Sequence, residues 1–370
     1  MEMATTTTLP SAARVALAPQ TRSPSRRTLG NFAASAAVTC VQLVAQWLPE
    51  RELLRGAKVL GSKLPVKGER LFARFRRAVV EKRLAVVFPH VAATERAAIA
   101  RDAYVHLALT LLWFLRLPSL ALALGDDHAA ENVTEKLIDC GDSVFCDFQV
   151  KVFDAKRNAI IMTGHVGMWE LLPAALSRPL SHQWIVYRPL HQPALDRIVN
   201  RIRQAPQRQL VPDKNCFALL RDELLRPSPT AQLVGLVADH RANSPATGAQ
   251  VNFLGQRTCF PTGAARLYLS GSGNNSSSPA STLWFTALLH NREFYESPAS
   301  PSLKPFKLTI RQVGAQELQT TGEDSQQLQV ASITHSYATI LEEIILKHPE
   351  QYLWMHDQWN HKKSFVMDVS

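Results

Sequence analysis

His165 and Glu170 stand five residues apart in TGHVGMWE, directly after the apolar run NAIIMTG. Histidine titrates closest to neutral pH, and a carboxylate beside it fixes its tautomer and stabilises the imidazolium. Together the two are the parts of a general base. On one continuous helix, residues five apart are rotated by about 500°, well off a common face. The side chains meet only if His165 sits in a loop and Glu170 in the first turn of a helix over MWELLPAALS. Gly164 and Gly167 give such a loop its backbone freedom. An isolated pair of this kind is more often a loop histidine followed by an acid favoured at a helix N-terminus, so the neighbourhood has to decide.

Two further residues follow apolar runs in the same way. Arg188 comes after HQWIVY and offers a guanidinium able to hold a phosphate by paired hydrogen bonds; an arginine there also suits a surface ion pair. Asp239 comes after QLVGLV and is equally placed to cap a helix, to bind Arg241, or to act in a site. The five cysteines (Cys40, Cys140, Cys146, Cys216, Cys259) are odd in number and contain no CxxC, so neither a disulfide framework nor a zinc site follows. No cofactor or metal motif is present. SGSGNNSSSPAS, residues 270–281, lacks GxSxG and reads as a loop.

The elements that must position these residues alternate. NAIIMTG, HQWIVYRP, QLVGLVAD, STLWFTALLH and FKLTIRQV are short apolar runs separated by helical patterns, which implies an α/β layered domain. Ahead of them, residues 68–117 are helical in pattern, with Thr94 as an N-cap and Pro118 as the stop. A last helix is expected from Ile333 to about Lys347. Tyr352, Trp354 and Trp359 read as core or membrane-edge packing.

Composition bounds the rest. With 370 residues, 46% hydrophobic and 19% charged, most of the chain can fold around a sizeable core. The net charge of +10 calls for an anionic partner. Eleven Lys/Arg against three Glu fall between Arg51 and Arg83, a basic, amphipathic stretch suited to a membrane surface or to packing on its own domain. It lacks the interleaved aromatics of a nucleic-acid surface. Residues 1–28 are rich in Thr, Ser and Arg and are set apart as a disordered tail or an organelle-targeting segment. Residues 29–49 are uncharged and form a membrane anchor or an interfacial helix; no other segment reads as long enough to span. The folded domain is expected over 50–365.

TGHVGMWELLPAAL, VYRPLHQPALDRIVNRIR, VADHRANSPATGAQVNFLGQRTCFPTGAARL and EEIILKHPEQYLWMHDQW, in this order, resemble the lipid A biosynthesis (lauroyl/myristoyl) acyltransferase family, within the lysophospholipid/glycerol-phosphate acyltransferase superfamily. The resemblance extends over about 50–362. It implies a mixed sheet flanked by helices, preceded by a membrane-associated helical segment. It also implies transfer of a fatty acyl group from an acyl carrier protein thioester to a hydroxyl of a phosphorylated lipid A precursor, at the cytoplasmic face of the inner membrane. His165 and Glu170 then fall on the family's catalytic pair, with His165 as base and Glu170 orienting it. Arg188 and Asp239 fall on substrate-contacting positions. No cofactor is implied. Other glycolipid or lysophospholipid acceptors, and a catalytically silent lipid-binding relative, are the alternatives. The chain departs from the pattern in the serine-rich loop, in His240 where glutamine is expected, in the weaker anchor and in the extra tail.

Overall fold

The computed structural model describes residues 40–63, 77–124, 135–178, 181–242, 247–271, 281–297, 300, 302–314 and 323–355. The targeting segment, most of the expected anchor, the centre of the basic run, the serine-rich loop and Trp359 lie outside the described residues.

The described residues form nine strands: β1 Ile138–Asp139, β2 Asn158–Thr163, β3 His182–Tyr187, β4 Arg208–Pro212, β5 Gln232–Val237, β6 Gly248–Phe253, β7 Gln256–Pro261, β8 Ser281–His290 and β9 Phe306–Gln312. Seven of them make one sheet in the order β1-β9-β8-β2-β5-β3-β4, parallel except where β8 meets β9. A parallel sheet must be covered on both faces, and it is. Along β2, Ile160 and Met162 enter one core cluster while Ala159 and Ile161 enter the other, as the two-residue side-chain period requires. Every residue of β8 is buried. The fold is therefore α/β with a mixed sheet flanked by helices, as the alternation of runs implied.

The helices include α1 Glu52–Gly61, α2 Arg77–Val87, α3 Ala93–Leu124, α4 Asp142–Phe148, α5 Leu172–Ala175, α6 Pro193–Arg203, α7 Cys216–Leu225, α8 Gly263–Ser270, α9 Arg292–Glu296 and α10 Glu323–Lys347. The five apolar runs became β2, β3, β5, β8 and β9. The short β1 and β4 and the β6–β7 hairpin carried too little apolar signal to be read. The hairpin turns at Leu254–Gly255, both at positive φ (52° and 72°), without the Asn-Gly pair that normally marks such a turn.

Three expectations about the helical segments are corrected. Helix α3 starts at Ala93, so Thr94 lies in its first turn, and it runs through Pro118 to Leu124. A proline inside a helix costs roughly 3 kcal/mol. Burial of Leu109, Trp113 and Leu117 along the same helix offsets it. Residues 93–120 are also long and apolar enough to cross a membrane, so the stretch at 29–49 does not stand alone in length; half of the apolar window is buried inside the domain. Helix α10 begins ten residues before Ile333. In the basic run, α1 buries Leu53, Ala57 and Gly61. A Cβ on Gly61 would come within 2.8 Å of the α3 backbone at Val105, so this part of the run packs on its own domain.

Candidate active site

Three adjacent parallel strands, β2, β5 and β3, deliver the candidate residues at their carboxyl ends, where ligands of open parallel sheets bind. Thr163 pairs with Val237 across β2 and β5. His165 and Asp239 each lie two residues beyond that pair and so face one another. His165 Nδ1 lies 2.7 Å from Asp239 Oδ1, and the His165 backbone N–H donates to Asp239 Oδ2 at 2.8 Å. Asp239 is completely buried and the His165 side chain is 14% exposed. A buried carboxylate accepts the Nδ1 proton, which leaves the lone pair on Nε2.

The imidazole's partner thus differs from the sequence expectation, which placed Glu170 there. Glu170 is forked by Arg203 of α6, with Nε to Oε2 at 2.9 Å and Nη2 to Oε1 at 2.5 Å. The reason is local. After the turn at Gly167 (φ +60°), the chain enters a 3₁₀ turn, Trp169–Leu171, that carries Glu170 towards α6. Burial disfavours the Arg203 charge, but the hydrogen bond and charge of Glu170 outweigh it and hold the guanidinium above its ordinary pKa. Arg208 extends the network, donating to the Arg203 carbonyl oxygen at 2.7 Å and to Gln183 Oε1 at 3.1 Å. Its burial lowers its pKa to about 10, partly countered by Glu170.

The loop between the two anchors is pinned at nearly every backbone group. Val166 N–H donates to the Gly164 oxygen, Gly167 N–H to Gln351, and Met168 N–H to Leu288, while the His165 carbonyl accepts from Leu353 N–H. The Gly167 carbonyl accepts from the Thr110 hydroxyl at 3.1 Å, and that hydroxyl faces His290 Nε2 at 3.1 Å. Space is tight at both Gly164 and Gly167, and Gly167 also holds a positive φ. A Cβ at Gly164 would meet Leu341 at 2.8 Å, and one at Gly167 would overlap the Leu288 carbonyl. Thr110, His290 and Gln351 had no sequence signal: each lies far along the chain, Thr110 and Gln351 bond to backbone, and His290 bonds to the Thr110 hydroxyl.

Arg188 stands at the mouth, its side chain 58% exposed, with Nε donating to Asp213 Oδ2 at 2.9 Å. Neither terminal Nη group has a hydrogen-bond partner among the described residues. His240, the residue after Asp239, places its ring centroid 4.8 Å from that of His165. Burial, followed by the nearby His165, lowers its pKa to about 4, and Arg188 and Asp213 also act on it. His240 is therefore neutral at physiological pH. The structure thus brings His165, Asp239 and Arg188 to one end of the sheet and turns Glu170 into the layer beside it.

The family model described as "Bacterial lipid A biosynthesis acyltransferase" matches residues 20–286 and 307–361, which is most of the chain. The chain belongs to that family. No curated protein matches it.

Proposed function

We propose that this chain transfers a fatty acyl group from an acyl carrier protein thioester to a hydroxyl of a lipid A precursor, with His165 as general base. The observation that carries the proposal is the buried Asp239 carboxylate on His165 Nδ1, in a chain that belongs to an acyltransferase family.

Nε2 of His165 takes the proton of the acceptor hydroxyl as its oxygen attacks the thioester carbonyl. Asp239 stabilises the imidazolium that forms, and the same proton then passes to the departing thiolate. Glu170 acts one step back: its fork with Arg203 fixes the 3₁₀ turn that follows the histidine loop. Arg188, with its side chain 58% exposed, is the contact for a phosphate of the acceptor. The acidic carrier protein and the anionic lipid surface both suit a chain of net charge +10.

Attachment to the cytoplasmic face of the inner membrane is supported by the helical residues 40–47. Leu43, Val44 and Trp47 are 53%, 60% and 86% exposed there. The segment is tied to the domain by Arg116, which donates to the Leu48 carbonyl at 3.2 Å, and by Arg51, which donates to the carbonyls of Phe294 and Ser297.

The test is an acyl-transfer assay with the full chain in membranes, combining a panel of acyl carrier protein thioesters with a Kdo-bearing lipid A precursor. Acylated precursor that forms only with both substrates, and is lost in His165→Ala, is expected. Transfer that persists in His165→Ala overturns the mechanism. His165-dependent transfer to a lysophospholipid and not to the precursor overturns the acceptor.

A further inference from the structure

A general base and its carboxylate account for the proton of an acyl transfer but not for the charge that develops on the carbonyl oxygen. That oxyanion needs preorganised hydrogen-bond donors. The backbone of the histidine loop does not offer them. The N–H groups of His165, Val166, Gly167 and Met168 are all bonded, to Asp239 Oδ2 and to the carbonyls of Gly164, Gln351 and Leu288 respectively. The donor has to come from another group, and a side chain beside the imidazole can supply it.

Trp169 is such a side chain. Its ring lies edge-on to His165, with centroids 5.1 Å apart and planes at 66°, and it packs against the core cluster beneath β2. An indole N–H is a donor only, and a tryptophan withdrawn from water normally has its N–H bonded. The other tryptophans of the described interior follow that rule. Trp113 donates to Tyr295 Oη, Trp184 to Gln232 Oε1, Trp284 to Thr282 Oγ1 and Trp354 to the Pro349 carbonyl, at 2.6–2.9 Å. Trp47 is 86% exposed and stands outside the interior. Trp169 is half-buried, and its N–H has no partner among the described residues. Among the described residues, a half-buried indole beside the candidate base thus carries an unengaged donor.

We propose that the indole N–H of Trp169 is the hydrogen-bond donor that receives the thioester carbonyl oxygen as the acceptor hydroxyl attacks. The proposal rests on the assignment of His165 as base. As the C–O bond forms, the hydroxyl proton passes to His165 Nε2 and the carbonyl π pair moves to oxygen, where the Nε1–H of Trp169 holds it. When the carbonyl re-forms, the C–S bond breaks and the thiolate takes the proton back from His165. The products are an ester and a free thiol, with no other reactant. The placement also gives the Glu170–Arg203 fork a purpose. Asp239 fixes the loop at His165 and Arg203 fixes it at Glu170, so the intervening Trp169 is held from both sides.

The experiment replaces one atom. Benzothienylalanine, introduced at position 169 alone by amber suppression in the full chain, keeps the shape of the indole and substitutes sulfur for N–H. Trp169→Phe is the genetically simpler companion, and His165→Ala the control. Transfer from a lauroyl carrier protein thioester to a Kdo-bearing lipid A precursor is measured. The expected result is a fall in kcat of about 10²–10³-fold, the usual effect of removing one oxyanion donor. KM, the pH–rate profile and the thermal midpoint are expected to stay unchanged. A purely packing role predicts the opposite pattern, in which Trp169→Phe lowers the thermal midpoint and the benzothienyl protein keeps full kcat. Full kcat in the benzothienyl protein, with His165→Ala inactive, overturns the proposal and leaves the base assignment standing. Full activity in His165→Ala removes both.

Discussion

Asp239→Asn and Glu170→Gln, made as a matched pair of isosteric changes, separate the two carboxylates. In Asp239→Asn the amide oxygen can keep the bond to the His165 backbone N–H, now made at 2.8 Å by Oδ2. The amide NH₂ then faces Nδ1, which must accept, and the ring proton moves to Nε2, where the base should be. Restoring the productive tautomer requires the amide to turn over, leaving a buried donor unpaired at about 1–3 kcal/mol. The imidazolium also loses a charge-assisted bond now 2.7 Å long, worth about 1.5–3 kcal/mol. Together these raise the barrier by about 3–6 kcal/mol, roughly 10²–10⁴-fold in kcat. Glu170→Gln weakens a half-buried fork with Arg203 and leaves the imidazole's partner in place, so its cost falls on stability and changes kcat by about tenfold or less. Steady-state acyl transfer, with both substrates saturating and at fixed pH, reads kcat for both. A loss of 10³-fold in Glu170→Gln with less than tenfold in Asp239→Asn would refute the assignment of Asp239 as the orienting carboxylate.

Gly167→Ala puts a Cβ into the Leu288 carbonyl at a φ of +60°. The left-handed backbone and the disturbed bond from Met168 N–H together destabilise the fold by at least about 2 kcal/mol, visible as a lower urea midpoint along with lost activity. Acid is expected to unfold the protein earlier than its carboxylates alone require. His106 and His240 titrate at about 6.5 when unfolded but at about 4 when folded, burial being the main cause in both. The unfolded chain therefore takes up protons first, and stability present above pH 6.5 is lost as pH falls towards 4, by roughly 2–3 kcal/mol per histidine at pH 4.5. His106→Phe, which also removes a buried unpaired Nδ1, should flatten the dependence of the urea midpoint on pH; an unchanged slope contradicts the assignment. Arg188→Ala breaks an exposed pair with Asp213 and should cost less than about 1 kcal/mol of stability. It is expected to raise KM for a phosphorylated acceptor several-fold while leaving KM for the carrier protein thioester unchanged.

Much of this protein is legible in one dimension. β2, β5 and β8 are buried on both faces of a parallel core and read as continuous apolar runs, and residues just past such runs are forced to the rim where chemistry happens. His165 was found in that way, and the order of the motifs around it pointed to the family, whose pattern singled out Arg188 and Asp239. What the sequence could not determine is which carboxylate meets the imidazole. Proximity along the chain favoured Glu170, five residues away; register across the sheet chose Asp239, because Thr163 opposite Val237 sets both strand ends level. The same holds for Thr110, His290 and Gln351, whose bonds to the Gly167 turn and its flanking strand join segments far apart in the chain. Pro118 is the converse case: a local stop signal overridden by burial of the helix around it. Local propensities are worth about 1–3 kcal/mol each and act on neighbours, whereas pairing and burial act between whatever residues the sheet order brings together. The sequence determined which residues stand at the rim, and the tertiary structure decided which of them touch.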